Sequence, residues 1–298
     1  MNVASLVKLP GGKRPRALVW TVERETRWHE AVASHITNGK TPAEARELAP
    51  RPSPVMVWRP DHLGTFLDGA AGDRLHALYH LVAYRGLRRG EAAGLEWEDV
   101  DLDGATVTVT VRRQRVLIGW DVVENDPKSD AGERTVPLDA GTVVALRVQR
   151  RTQLAERMAW GSAWVDSGKV FTLENGEPLH PAMVSDRFHD LVAATDLPPV
   201  RLHDLRHGAA SLMLAAGVDL KVVQETLGHS SITLTSDTYT SVYQKWQQPP
   251  PQRRSCPGRS EPMLSHRCHQ RVQTLAVTQY SQVRWRARRD SNSQPSDP

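Results

Sequence analysis

Four absences bound this 298-residue chain. No apolar run reaches the roughly 18 residues that a membrane-spanning helix needs. No long apolar stretch follows the N-terminus, so no secretory leader is read there. Cysteine is nearly missing: Cys256 and Cys268 both lie near the end, outside the expected core, and make no disulfide framework. A cytoplasmic location is the resulting expectation, with no membrane partner. No internal repeat of roughly 20–50 residues is found either, which removes solenoid folds. What remains is ordinary globular material, 39% hydrophobic and 24% charged. That balance allows a sizeable core, and the length allows one large domain or two smaller ones.

Charge is less informative than its total suggests. The formal net charge is +4, but nine arginines stand from Pro249 onward against Glu261, Asp290 and Asp297. The preceding body holds 29 basic and 31 acidic residues and is slightly acidic. A nucleic-acid partner must therefore be argued from local clusters, not from net charge.

The chain divides by pattern into three stretches. Residues 1–52 are expected to be an N-terminal remnant or linker. They hold the cluster Lys13, Arg14 and Arg16, a helical stretch over Val22–Thr37, and a short helix opened by Thr41-Pro42. Residues 53–245 carry the clearer order. Pro60 opens a helix with Leu63, Phe66 and Leu67 on one face, and a second runs over about Arg74–Tyr84 until Gly86 breaks it. From Ala105 the period becomes two, with Val107, Val109 and Val111 alternating with threonines. Short strands are expected over Val116–Ile118, Trp120–Val123 and Arg134–Leu138. Helices return over about Ala140–Met158, Pro181–Ala194, His203–Ala216 and Leu220–Leu227. The fold class is thus mainly α with a small antiparallel β-sheet. Residues 246–298, opened by Pro249-Pro250-Pro251, are expected to form a disordered Pro/Arg/Ser-rich tail.

The chemistry gathers in a few short boxes. In Arg201-Leu202-His203-Asp204-Leu205-Arg206-His207, His203 and Arg206 are three apart and share a helix face. An imidazole beside a guanidinium suits a phosphate: one offers a planar fork of donors, the other a donor that exchanges protons. Gly228 is a helix C-cap followed directly by His229. Arg88 follows the Gly86 break at a helix start, where anions are favoured. Lys128 sits between strands, where a hairpin tip can reach a ligand. Tyr239 lies in Ser236-Asp237-Thr238-Tyr239-Thr240.

In that order, Gly86-Leu87-Arg88-Arg89-Gly90-Glu91, the lysine hairpin, His203-x-x-Arg206, Leu227-Gly228-His229-Ser230 and Tyr239 resemble the tyrosine recombinase family, phage integrases in particular. The resemblance spans about Arg51–Val242. Each box is weak alone, and the ordered set is specific. It implies that Arg88 and Arg206 clamp a scissile phosphate. His203 and His229 donate hydrogen bonds, with His203 also a proton acceptor for the tyrosine. Lys128 protonates the departing 5′-oxygen, Tyr239 becomes a 3′-phosphotyrosine, and Glu91 supports the first arginine. It also implies double-stranded DNA as partner, a homo-tetramer on paired sites, association with the nucleoid, and neither metal nor cofactor.

Other readings exist for the same residues. Taken singly, Tyr239 is a structural tyrosine, Arg88 a surface arginine with Arg89 as its competitor, and Lys128 a solvated lysine. His203 and His207, four apart on a helix, resemble a zinc motif with Asp204 in place of glutamate and His229 as a third ligand, which gives a zinc-dependent hydrolase. An arginine between those ligands opposes that reading. The remaining alternative is a catalytically inactive, truncated DNA-binding relic. It rests on two expectations: that about fifty residues are too few for the family's core-binding domain, and that the tail is out-of-frame or read-through sequence. The step from His229 to Tyr239 is also one residue longer than in many family members, read as a tolerated loop variation.

Overall fold

The computed structural model describes residues 17–119, 121–126 and 132–229. Lys128, Tyr239 and the expected tail fall outside the described residues.

Most helices start where the sequence supplies an opening. Thr21 accepts the Arg24 N–H to begin α1 (Val22–Thr37). Thr41, Pro42 and Glu44 form a capping box for α2 (Pro42–Leu48). Pro60 and Pro181 occupy the first turns of α3 (Pro60–Gly69) and α7 (Pro181–Ala193), where a missing N–H costs nothing. Asp139 accepts the Thr142 N–H at 2.9 Å to open the long α6 (Ala140–Trp160). The expected helix over Arg74–Tyr84 is two pieces: α4 (His76–His80), then a π-helical turn over Leu81–Arg85 that ends on Gly86 in the left-handed region. Next comes the short α5 (Arg89–Gly94). The described chain closes with α8 (Leu202–Ala215) and α9 (Leu220–Leu227).

The expected small antiparallel sheet is present in two parts. β3 (Val100–Asp101), β4 (Thr108–Val111) and β7 (Arg134–Pro137) form one sheet in the order β3-β4-β7. β5 (Gln114–Ile118) and β6 (Asp121–Asn125) form a separate hairpin. In β4 the valines turn inward, Val109 and Val111 being fully buried, so period-two alternation marks a half-buried strand. The hairpin lies close over α5: a Cβ on Gly90 would sit 2.5 Å from the Arg115 backbone oxygen, so only glycine fits there.

A parallel pair was not expected. β1 (Leu18–Val19) lies beside β2 (Met56–Val57) in parallel register. The stretch read from sequence as remnant or linker is, from residue 17 on, folded against the body. Trp20 and Trp28 belong to the main core together with Trp58, Phe66, Tyr79 and Phe188. Trp58 and Trp20 donate their indole N–H groups to the Pro198 and Pro199 carbonyls at 2.7 and 3.1 Å. Arg46 of α2 donates to the Leu197 carbonyl at 2.8 Å. These bonds fix the turn from which α8 departs. No helix among the described residues is long and apolar enough to cross a membrane.

Candidate active site

The site is assembled around the C-terminal end of α9. Gly228 there has φ +64°, and its N–H bonds the Glu225 carbonyl. The His229 N–H reaches back to the Gln224 carbonyl at 3.1 Å, completing a Schellman motif. The Gln224 side chain then donates to the His229 carbonyl at 2.9 Å. Gly228-His229 thus places its imidazole by backbone geometry: only glycine takes the left-handed turn without strain.

A helix end leaves carbonyls without intrahelical partners. Here three arginines take three consecutive ones. Arg134 Nε donates to the Thr226 carbonyl at 2.7 Å, Arg206 Nη2 to that of Leu227 at 2.5 Å, and Arg88 Nη2 to that of Gly228 at 3.0 Å. Cations at a helix C-terminus also complement its dipole. Guanidiniums from α5, β7 and α8 converge because one helix end attracts all three.

Arg206 is 2% exposed, and its other Nη donates to the Gly86 carbonyl. Gly86 itself must be glycine: its φ is +66°, and a Cβ there would sit 2.3 Å from a Leu227 methyl. The break read from sequence is therefore the place where the π-turn, α8 and α9 meet. Arg88 is more open, its side chain 37% exposed. It pairs with Glu91 at 2.5 Å, and Glu91 accepts the Arg88 backbone N–H at 2.8 Å. Arg89, the competing arginine, turns away to the Ser185 hydroxyl at 2.9 Å. At this helix start α5 has six residues, and the Arg88 backbone N–H is already taken by Glu91.

Glu91 is 2% exposed and holds a bidentate pair with Arg134, at 2.8 and 3.2 Å. Burial raises a carboxyl pKa, but the hydrogen bond and charge of Arg134, then Arg88 and Arg206, outweigh it and pull Glu91 down to about 2. Glu91 is thus a fixed negative charge beneath the arginines. Arg134 was missed in the sequence. Its signal is its register: it lies two residues before buried Val136 on β7, opposite buried Val111. An arginine on the core face of a strand demands a buried partner, and Glu91, between Gly90 and Ala92-Ala93, is that partner.

His203 stands one turn before Arg206 on α8. Desolvation of its ring, then the Arg206 charge, lowers its pKa. His229 is pushed down to about 3 by burial, then Arg206 and Arg88. Both imidazoles are neutral at pH 7, so each ring carries one donor and one acceptor. His207, named in the sequence only for the zinc motif, faces His203 edge-on at 5.5 Å and is pushed down to about 4 by burial and by His203. The zinc-motif reading finds no third ligand beside His203 and His207 among the described residues. The group of three ligand atoms that does gather among the described residues is elsewhere, Glu96, Glu98 and Asp99, which pair with Arg113, Lys169 and Arg112.

The structure thus brings Arg88, Glu91, Arg206 and His229 together, with His203 on the same helix as Arg206. Lys128 belongs to 127–131, and Tyr239 follows the last described residue.

Residues 62–245 match the family described as "Phage integrase family". The chain belongs to this family. Among integrase relatives, it is 33% identical over 201 residues to the "Tyrosine recombinase XerC-like" protein of Caldanaerobacter subterraneus subsp. tengcongensis, covering 64% of this chain and 51% of that protein. It is 31% identical over 229 residues to tyrosine recombinase XerC of Neisseria meningitidis, covering 75% of this chain and 64% of that one. The chain therefore spans about half to two thirds of the length of these two relatives. In structure it resembles the Tn1549 transposon integrase solved in complex with circular intermediate DNA, with a TM-score of 0.54, 19% identity, and 74% of this chain and 82% of that one covered. The XerA recombinase gives a TM-score of 0.51 at 22% identity over 65% of each chain. Its mainly helical body with small antiparallel sheets is the integrase fold.

Proposed function

We propose that this chain is a site-specific recombinase that cuts and rejoins duplex DNA through a 3′-phosphotyrosine on Tyr239. The observation that carries the reading is the convergence of Arg88, Arg206 and neutral His229 on one helix end. Two guanidiniums, one buried and one at the rim, and an imidazole donor, partly withdrawn from solvent, match the charge that develops on phosphate oxygens during displacement.

The steps balance without a cofactor. The Tyr239 hydroxyl oxygen attacks phosphorus while its proton passes to His203. The bond from phosphorus to the 5′-oxygen breaks, and Lys128 gives that oxygen a proton. Arg88, Arg206 and His229 hold the non-bridging oxygens. A second 5′-hydroxyl then attacks the phosphotyrosine, expels Tyr239 and restores both protons. One phosphodiester replaces another, so the covalent intermediate conserves the bond energy and divides the exchange into two similar steps. Duplex DNA is the substrate, gripped mainly by its phosphates and released by salt. A tetramer on paired sites, working in the cytoplasm at the nucleoid, is the assembly that fits this chemistry.

The test is a pool of nicked duplexes randomised in sequence, in which the released fragment diffuses away and traps the intermediate. A covalent protein–DNA band that Tyr239→Phe abolishes supports the reading. DNA binding without any band favours the inactive relic. Lys128→Ala is expected to stall on ordinary DNA and recover with a 5′-thiol leaving group, which needs little protonation.

A further inference from the structure

Arg134 donates to Glu91 and to the Thr226 and Gly132 carbonyls, and to none of the residues assigned to the phosphate directly. We propose that Arg134 is a positioning residue that locks α5 and the C-terminal end of α9 into one register. The proposal rests on the recombinase reading above.

All three nitrogens of its guanidinium are engaged. Nη2 and Nη1 hold the two Glu91 oxygens, at 2.8 and 3.2 Å. Glu91 in turn holds both the side chain and the backbone N–H of Arg88. Nε holds the Thr226 carbonyl at 2.7 Å, two residues before Gly228, whose carbonyl Arg88 takes and whose turn sets His229. Nη1 also holds the Gly132 carbonyl at 2.9 Å. Gly132 is the first described residue after the segment 127–131 that carries Lys128. One side chain, 7% exposed, therefore fixes the support of Arg88, the helix end before His229 and the chain at Gly132 that leads into β7.

The planar fork is required. Lysine supplies the charge but cannot span a carboxylate and two carbonyls at once. If Arg134 merely held the fold together, its loss would reduce stability, DNA affinity and rate in parallel. If it sets register, chemistry suffers more than binding, because small displacements at the reacting atoms cost far more than small displacements of phosphate contacts.

The experiment compares the full chain with Arg134→Lys and with the double variant Glu91→Gln/Arg134→Met, which leaves no stranded carboxylate if the single methionine change fails to fold. Readouts are the single-turnover rate of covalent adduct on the randomised nicked duplexes, the affinity for the same pool, and the melting temperature. The expected result is a folded Arg134→Lys with an adduct rate down roughly ten- to a hundredfold and affinity nearly unchanged. Rates within about twofold of wild type in both folded variants overturn the proposal, as does a fall in rate and affinity that tracks the loss of melting temperature. If wild type forms no adduct, the recombinase reading fails on its own, and the register is read by NMR with inorganic phosphate as probe. Arg134→Lys is then expected to shift the Arg88 Nε–H and His229 ring signals in the phosphate-bound state. Signals identical to wild type overturn the positioning role.

Discussion

The two sides of the site use the same chemistry under opposite conditions. On the α8–α9 wall, Arg206 is buried between the Gly86 and Leu227 carbonyls, above an apolar cluster of Ala209, Ala210, Met213, Val223 and Leu227. On the α5 rim, Arg88 is more than a third exposed and leans on Glu91. The wall arginine is a structural strut that also presents a charge inward; the rim arginine is held from below and open from above. A phosphate entering the site would meet one guanidinium already fixed by the fold and one that can adjust. Pre-organisation and access are thus divided between two residues of the same type.

The largest effect should break that comparison if it is wrong. Arg206→Ala leaves two buried carbonyls without their donor and is expected to cost about 2–5 kcal/mol of stability. Arg88→Ala leaves Glu91 still held by Arg134 and should cost under about 1 kcal/mol, as for a partly exposed pair. Both should abolish adduct formation. Equal losses of melting temperature would show that the wall and the rim are not distinct.

Gly86→Ala tests the wall through its backbone. The left-handed φ and the close Leu227 methyl are expected to cost about 2–3 kcal/mol together, some of it relieved as the leucine shifts. Arg206 should lose its Gly86 carbonyl in the same step, so activity should fall more steeply than in an equally destabilised variant elsewhere. Chemical denaturation beside an adduct assay reads both; activity preserved at the reduced stability would detach Gly86 from the site.

How legible this was in the sequence follows from the physics of each element. Helix starts were legible where they are local: Thr21, Thr41-Pro42, Pro60, Asp139 and Pro181 act within one turn. The buried face of β4 was legible through alternation. The parallel pairing of Leu18–Val19 with Met56–Val57 was not, because two residues carry no period and their partner lies far along the chain. Arg88, Glu91, His203, Arg206 and His229 could be named from their boxes, yet their convergence on three consecutive carbonyls could not, since backbone acceptors have no sequence signature. Arg134 was hidden for the same reason. It was read only as the start of a strand, and its role follows from β7 placing it opposite Val111.

Glu91 sharpens the rim by pH. Its folded-state pKa lies near 2 against an ordinary 4.5, so its contribution is fully present above about pH 4.5 and is lost as pH falls toward 2. The size implied is about 3 kcal/mol for a group this buried. Glu91→Gln should be less stable than wild type at neutral pH, with the gap closing across that acid window. A gap independent of pH would mean that the charge of Glu91 is not what holds Arg88 and Arg134.

The smallest effect separates wall from rim most finely. Burial, Arg206 and Arg88 hold His229 down near pKa 3, below the ordinary 6.5, so the unfolded chain binds its proton first. The contribution of neutral His229 to stability is therefore full above about pH 6.5 and is lost as pH falls toward 3. His207, near 4, acts in the same direction over a narrower range. A bound anion reverses the balance at His229: a negative charge beside the ring offsets the two guanidiniums. Inorganic phosphate should then move the His229 titration, followed by NMR of the ring proton, upward by at least about one pH unit. The Arg88 Nε–H signal should move in the same titration, because the rim arginine adjusts to its ligand. The Arg206 contacts to Gly86 and Leu227 should persist, because breaking them exposes two buried carbonyls. If both arginines respond equally, the wall is no more pre-organised than the rim; if His229 stays near 3, phosphate does not enter between them.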